Sequence, residues 1–136
     1  MKTSADVLEQ AADLIEQGRH LRKMLTDLNG GYCAAGALLK AATGSPYYNY
    51  QSTSLPTFDP LVAGAIEAVA SHLELTPTPK SWFRMRGVRF WHSISLTNQL
   101  AEAMVMWNNQ DGRTGAEVID AFRHAAKNLR NEKVAA

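Results

Sequence analysis

The chain has 136 residues, enough for one domain that buries a sizeable core without disulfide or metal staples. Its hydrophobic fraction of 46%, charged fraction of 20% and net charge of +1 are those of a globular protein, with no global field that would draw nucleic acid or a membrane. A single cysteine, Cys33, excludes an internal disulfide and fits a reducing cytoplasm. The N-terminus lacks the features of a signal peptide, and no apolar run is long enough to span a bilayer.

Residues 4–17 open the periodic pattern. Val7, Leu8, Ala11, Leu14 and Ile15 form one apolar stripe, Thr3 or Ser4 is the cap, and Gly18 is the stop. Leu21, Met24, Leu25 and Leu28 repeat at helical spacing over 20–28, a second and weaker pattern that Asn29, Gly30 and Gly31 break. Residues 33–42 read as a buried helix whose small side chains admit another backbone closely, ended by Gly44. Residues 41–58 carry no charged side chain but hold Tyr47, Tyr48, Tyr50 and Phe58, and read as a long loop. Asp59 and Pro60 supply an N-cap and a first-turn proline for a helix to about Glu74.

Pro77 and Pro79 stiffen the connector that follows. In residues 82–91 apolar and arginine positions partly alternate, as in a small hairpin around Gly87 or an irregular aromatic-rich chain. A helix from Leu96 or Thr97 to Asn108 turns Leu100, Ala103, Met104 and Trp107 inward. The last helix starts at a capping box of Thr114 and Glu117, and its stripe is Val118, Phe122, Ala125 and Leu129. The expectation is an all-α fold: a single domain over 1–136, a compact bundle of about five helices, with two long irregular insertions at 44–58 and 76–95.

Three fragments stand in a distinctive order: Ala11-Ala12-Asp13-Leu14-Ile15-Glu16, Cys33-Ala34-Ala35-Gly36-Ala37-Leu38, and Trp107-Asn108-Asn109 followed by Gly112-Arg113-Thr114-Gly115-Ala116-Glu117-Val118. In this order they resemble an uncharacterised family of small helical proteins from high-GC Gram-positive bacteria and their phages. The resemblance implies a helical fold and a phage context, and it carries no activity. Where similar proteins tend to have an aspartate after Trp-Asn, this chain has Asn109.

Chemistry-bearing residues are few. Cys33 is the one plausible nucleophile, placed where a helix dipole would favour a thiolate, with His20, His92 or His124 as nominal bases. The plainer reading is a small hydrophobe in an alanine-rich core. The four histidines show no i, i+4 pair, so no metal and no cofactor is expected. Between Glu74 and Glu102 there is no acid, while Lys80, Arg84, Arg86 and Arg89 gather with Trp82, Phe83, Phe90 and Trp91. That mixture serves single-strand binding, serves a protein interface rich in Arg and Trp, or covers the core with its arginines solvated. The tyrosines at 47, 48 and 50 suit an adaptable recognition loop or pack onto the helices.

The function expected is a non-catalytic protein-interaction module, phage-encoded and acting on a host protein, with Arg84, Arg86, Arg89, Trp91, Tyr47, Tyr48 and Tyr50 as contacts. A nucleic-acid-binding module using residues 80–92 is the alternative, and a cysteine hydrolase at Cys33 the second alternative. No membrane partner is expected, and association with a copy of itself stays open.

Overall fold

A computed structural model describes residues 1–46 and 59–135 of the chain. The expected contacts Tyr47, Tyr48 and Tyr50, and most of the 44–58 insertion, lie outside the described residues.

The described residues form an all-α bundle. Helix α1 spans Ser4–Gln17, α2 Ala34–Thr43, α3 Pro60–Leu73, α4 Lys80–Met85, α5 Leu96–Asn108 and α6 Gly115–Ala135. A two-residue parallel pair, β1 (Arg19–His20) and β2 (Gly31–Tyr32), separates α1 from α2. The ends follow the residues read as caps. Thr3 and Asp6 close a reciprocal capping box, Asp59 accepts from the Leu61 and Val62 N–H groups, and Gly44 ends α2 at φ 85. At α6, Thr114 Oγ1 accepts from Glu117 N (3.2 Å) and Glu117 Oε1 from Thr114 N (3.1 Å).

The stripes read from the sequence meet in one core. Val7, Leu8, Ala11, Ala12 and Ile15 of α1 pack against Val118, Phe122, Ala125 and Ala126 of α6, and α2 and α3 complete the enclosure. Each large member contributes about 1.5–3 kcal/mol relative to remaining in water. The α1–α6 seam is laced at its edge by ion pairs spaced two turns apart: Asp6 and Glu9 with Arg130, and Asp13 and Glu16 with Arg123. Low residue numbers on α1 pair with high ones on α6, so the two helices run antiparallel. Each exposed pair contributes at most about 1 kcal/mol, so their weight lies in register.

Two expectations are corrected. Residues 20–28 are not helical: Met24 and Leu28 are exposed, and Lys23 and Leu28 take positive φ of 69 and 65. Asp27 supplies the competing local order, accepting from Asn29 N (2.9 Å) and Gly31 N (3.0 Å) and pairing with Arg19. The arginine–aromatic stretch is not a hairpin either. It is α4 followed by a 3-10 turn at Trp91–Ser93, so the second insertion is partly helical.

The carboxylates that fasten these ends give a pH prediction. Backbone N–H groups hold Asp6, Asp27 and Glu117 below their ordinary values of 3.8, 3.8 and 4.5. A depressed folded pKa contributes stability that is present above the ordinary value and lost as pH falls through the lower one. Melting followed by circular dichroism should give a flat Tm from pH 7 to pH 5 and a progressive fall below about pH 4. A Tm unchanged down to pH 2 would contradict the assignment.

Candidate functional site

The arginine–aromatic segment is hung from α5 by a buried threonine. Thr78 donates its N–H to Gln99 O (3.1 Å), accepts from Gln99 Nε2 (3.0 Å), and turns its hydroxyl to Met106 Sδ (3.8 Å). The proline on either side fixes φ and removes a competing donor, so this short connector needs no strand partner. From there α4 sinks Phe83 into the protein, and Lys80 Nζ donates to His92 O (3.0 Å), drawing the 3-10 turn alongside. Gly87, at φ 78, makes the reversal between them, and Val88 N donates to Phe83 O (3.0 Å).

With Phe83 inside, the rest of the segment lies at the surface. The Arg86 guanidinium carbon sits 4.6 Å from the Trp82 ring centre, and that of Arg84 sits 5.3 Å from the Trp91 ring. Such contacts contribute about 0.5–1 kcal/mol at exposed positions. More usefully, stacking fixes the guanidinium plane while leaving its N–H edge open to an acceptor. Arg89 is exposed, and so are Met85, Phe90, Leu96 and Met106. Arg84, Arg86, Arg89 and Trp91, four of the seven expected contacts, therefore share one segment with Phe90, together with Met85, an exposed apolar side chain that the sequence reading did not single out.

A second cluster lies behind it. Asn108 is 1% exposed and makes four hydrogen bonds. Its Oδ1 accepts from Ala34 N (3.0 Å) and from His20 Nε2 (2.8 Å), while its Nδ2 donates to Leu21 O (3.1 Å) and Asn109 Oδ1 (3.0 Å). Asn109 in turn accepts from Lys23 N (2.7 Å). The end of α5 thus clasps the 19–32 segment and the start of α2. Trp107 packs partly against the core, and the Arg113 guanidinium lies 4.2 Å from its ring centre.

Cys33 is the N-cap of α2, with Sγ accepting from Gly36 N (3.3 Å). Burial pushes its thiol up, and the helix N–H groups oppose that only in part. A buried thiol of raised pKa is a poor nucleophile. His20 is engaged by Asn108, while His124 stacks on His72 with ring centres 5.4 Å apart. Among the described residues no three His, Cys, Asp or Glu side chains gather as a metal site, and no helix is long and apolar enough to cross a membrane.

A small all-α bundle with a buried asparagine clasp and an exposed arginine–aromatic segment is the class of protein that fold and site define. Residues 1–128 match the family described as "Family of unknown function (DUF6197)", and the chain belongs to that family. All three fragments that carry the sequence resemblance lie within the match. No curated protein and no solved structure matches the chain.

Proposed function

We propose that this chain is a non-catalytic protein-interaction module, acting in the cytoplasm, that binds an acidic and partly apolar segment of another protein on its α4 face. In the phage context that the sequence resemblance implies, the partner is a host protein. The observation that carries the reading is the joint exposure of Arg84, Arg86 and Arg89 with Met85, Phe90 and Leu96, on a stretch without an acid between Glu74 and Glu102. Stacked arginines present carboxylate-binding forks at reduced entropic cost, and the apolar side chains supply area to bury. The same stacking occupies one ring face each of Trp82 and Trp91, which leaves less ring surface for base stacking and so favours a protein over the alternative. Tyr47, Tyr48 and Tyr50 are further contacts expected on sequence alone.

The test is capture on immobilised protein from nuclease-treated bacterial lysate, followed by titration of the purified captured protein. Binding should weaken at least tenfold when Arg84, Arg86 and Arg89 are all changed to Glu. Retention of single-stranded DNA, with an affinity that falls steeply as salt is added, would replace this reading by the nucleic-acid one. A captured protein that binds the triple variant equally well would remove the α4 face from the function.

A further inference from the structure

Apart from the α4 face, a cavity of about 280 Å3 lies among α2, α3, α4, α5 and the 19–32 segment. Its walls are mainly apolar: Leu38, Val62, Ile66, Phe83 and Met104 are all buried side chains that border it. Ala35 of α2 and Ala101 of α5 each contribute only a methyl, leaving space that longer side chains would fill. An apolar cavity of about 150 Å3 holds a benzene ring, so this one has room for a ring and a short chain.

Helix α5 also sets polar groups along the cavity. Asn98, Glu102 and Asn109 recur at helical spacing and all border it. Asn109 accepts from Lys23 N, which fixes the Lys23 backbone at the far end of the wall, seven residues or roughly 10 Å of helix from Glu102. Among the described residues Glu102 is the one acid in the wall. Among the described residues its carboxylate makes no side-chain hydrogen bond and no contact ion pair, and the charge acting on it is that of Arg86. Burial pushes its carboxyl above the ordinary range, and the charge of Arg86 only partly offsets this.

We infer that the cavity binds a small amine with an aromatic or short aliphatic body, its ammonium on the Glu102 carboxylate and its apolar part against Leu38, Phe83 and Met104. A neutral ligand of that shape would dehydrate Glu102 without giving it a partner, and a carboxylate would be repelled by it. An ammonium supplies the missing charge-assisted hydrogen bond in a site where water is partly excluded. Cys33, itself buried, borders the same space and takes no chemical part.

The chain's methionines make the test local. Met24 and Met104 border the cavity, whereas Met85 and Met106 are exposed elsewhere. With methyl-labelled methionine, 2-phenylethylamine should shift Met24 and Met104 saturably and leave Met85 and Met106 in place. The neutral 2-phenylethanol should bind the same site about tenfold more weakly. Glu102→Gln, at a half-buried position compatible with folding, should bring the amine down to the affinity of the alcohol and leave the alcohol unchanged. Absence of saturable shifts at Met24 and Met104 would overturn the site. Equal binding of amine and alcohol, or an amine affinity unmoved by Glu102→Gln, would overturn the ligand class. Changing Arg84 and Arg89 to Glu should leave amine binding intact, which separates this site from the α4 face.

Discussion

Replacing Asn108 by alanine is expected to lower the unfolding free energy by about 4 kcal/mol and Tm by about 12 °C. Removal of the amide leaves the Ala34 N–H, the Leu21 carbonyl and the His20 ring without their partner. Each group stranded away from water costs about 1–3 kcal/mol, and the loss of side-chain volume adds to it. His20 is half-buried and recovers most of its share from solvent, which leaves two stranded backbone groups at about 2 kcal/mol each and holds the sum near the lower end of the three-group range. Against a total of about 5–15 kcal/mol, such a loss leaves a marginal fold.

The chemistry of the amide matters as much as its size. Asn108→Asp keeps the acceptor but loses both donations, and it sets a carboxylate oxygen against the Leu21 carbonyl and Asn109 Oδ1. It should therefore melt at least as low as the alanine variant at pH 7. Gln110→Ala, two residues along and exposed, loses one surface hydrogen bond from Arg113; it is the matched control and should stay within about 1 kcal/mol of the parent. Urea unfolding of the three variants decides the matter. An alanine variant within 1 kcal/mol of the parent would show that the hydrogen bonds of Asn108 are replaced by water.

The helices of this bundle were legible because their signals are local. Thr3, Asp59 and Thr114 cap the N–H groups of their own first turns, and the stripes of α1 and α6 repeat at a period that one face of a helix enforces. Residues 20–28 misled because their apolar spacing is also local, whereas what decides their structure is remote. Leu21 O and Lys23 N are claimed by Asn108 and Asn109, more than eighty positions along the chain. The acids of α1 and the bases of α6 show the same limit. Position near helix ends accounts for their signs, but only the antiparallel packing pairs Asp13 and Glu16 with Arg123.

Of the candidate site, the residue types were visible and their orientation was not. Sequence grouped Arg84, Arg86, Arg89 and Trp91, while the choice of Phe83 as the inward ring, and of Phe90 as an outward one, follows from the turn at Gly87. The cavity left no sequence signal. It depends on Ala35 and Ala101 being small at places where four helices and a loop converge, and one chain read in order does not bring those positions together.

Gly36 separates local from remote control most sharply, because the two predict opposite signs. Gly36 lies inside α2, where alanine is intrinsically favoured by about 1 kcal/mol. A Cβ built there would stand 2.0 Å from the Leu25 carbonyl oxygen and 2.8 Å from its carbon, far inside contact distance. Both obstacles are backbone, so no side chain can turn aside, and the loop itself must move away from α2. That movement would break the bond from Cys33 N to Leu25 O (3.2 Å) and strain the neighbouring ties of Leu21 and Lys23 to the end of α5. Gly36→Ala should therefore destabilise the protein by about 2–3 kcal/mol net of the propensity gain. Amide-exchange protection should fall first at Cys33 and along residues 21–25, before the α1–α6 core responds. A variant that melts higher than the parent would mean that the loop at Leu25 does not rest on α2. Because Leu25, Cys33 and Ala35 also border the cavity, that result would remove one wall of the proposed amine site as well.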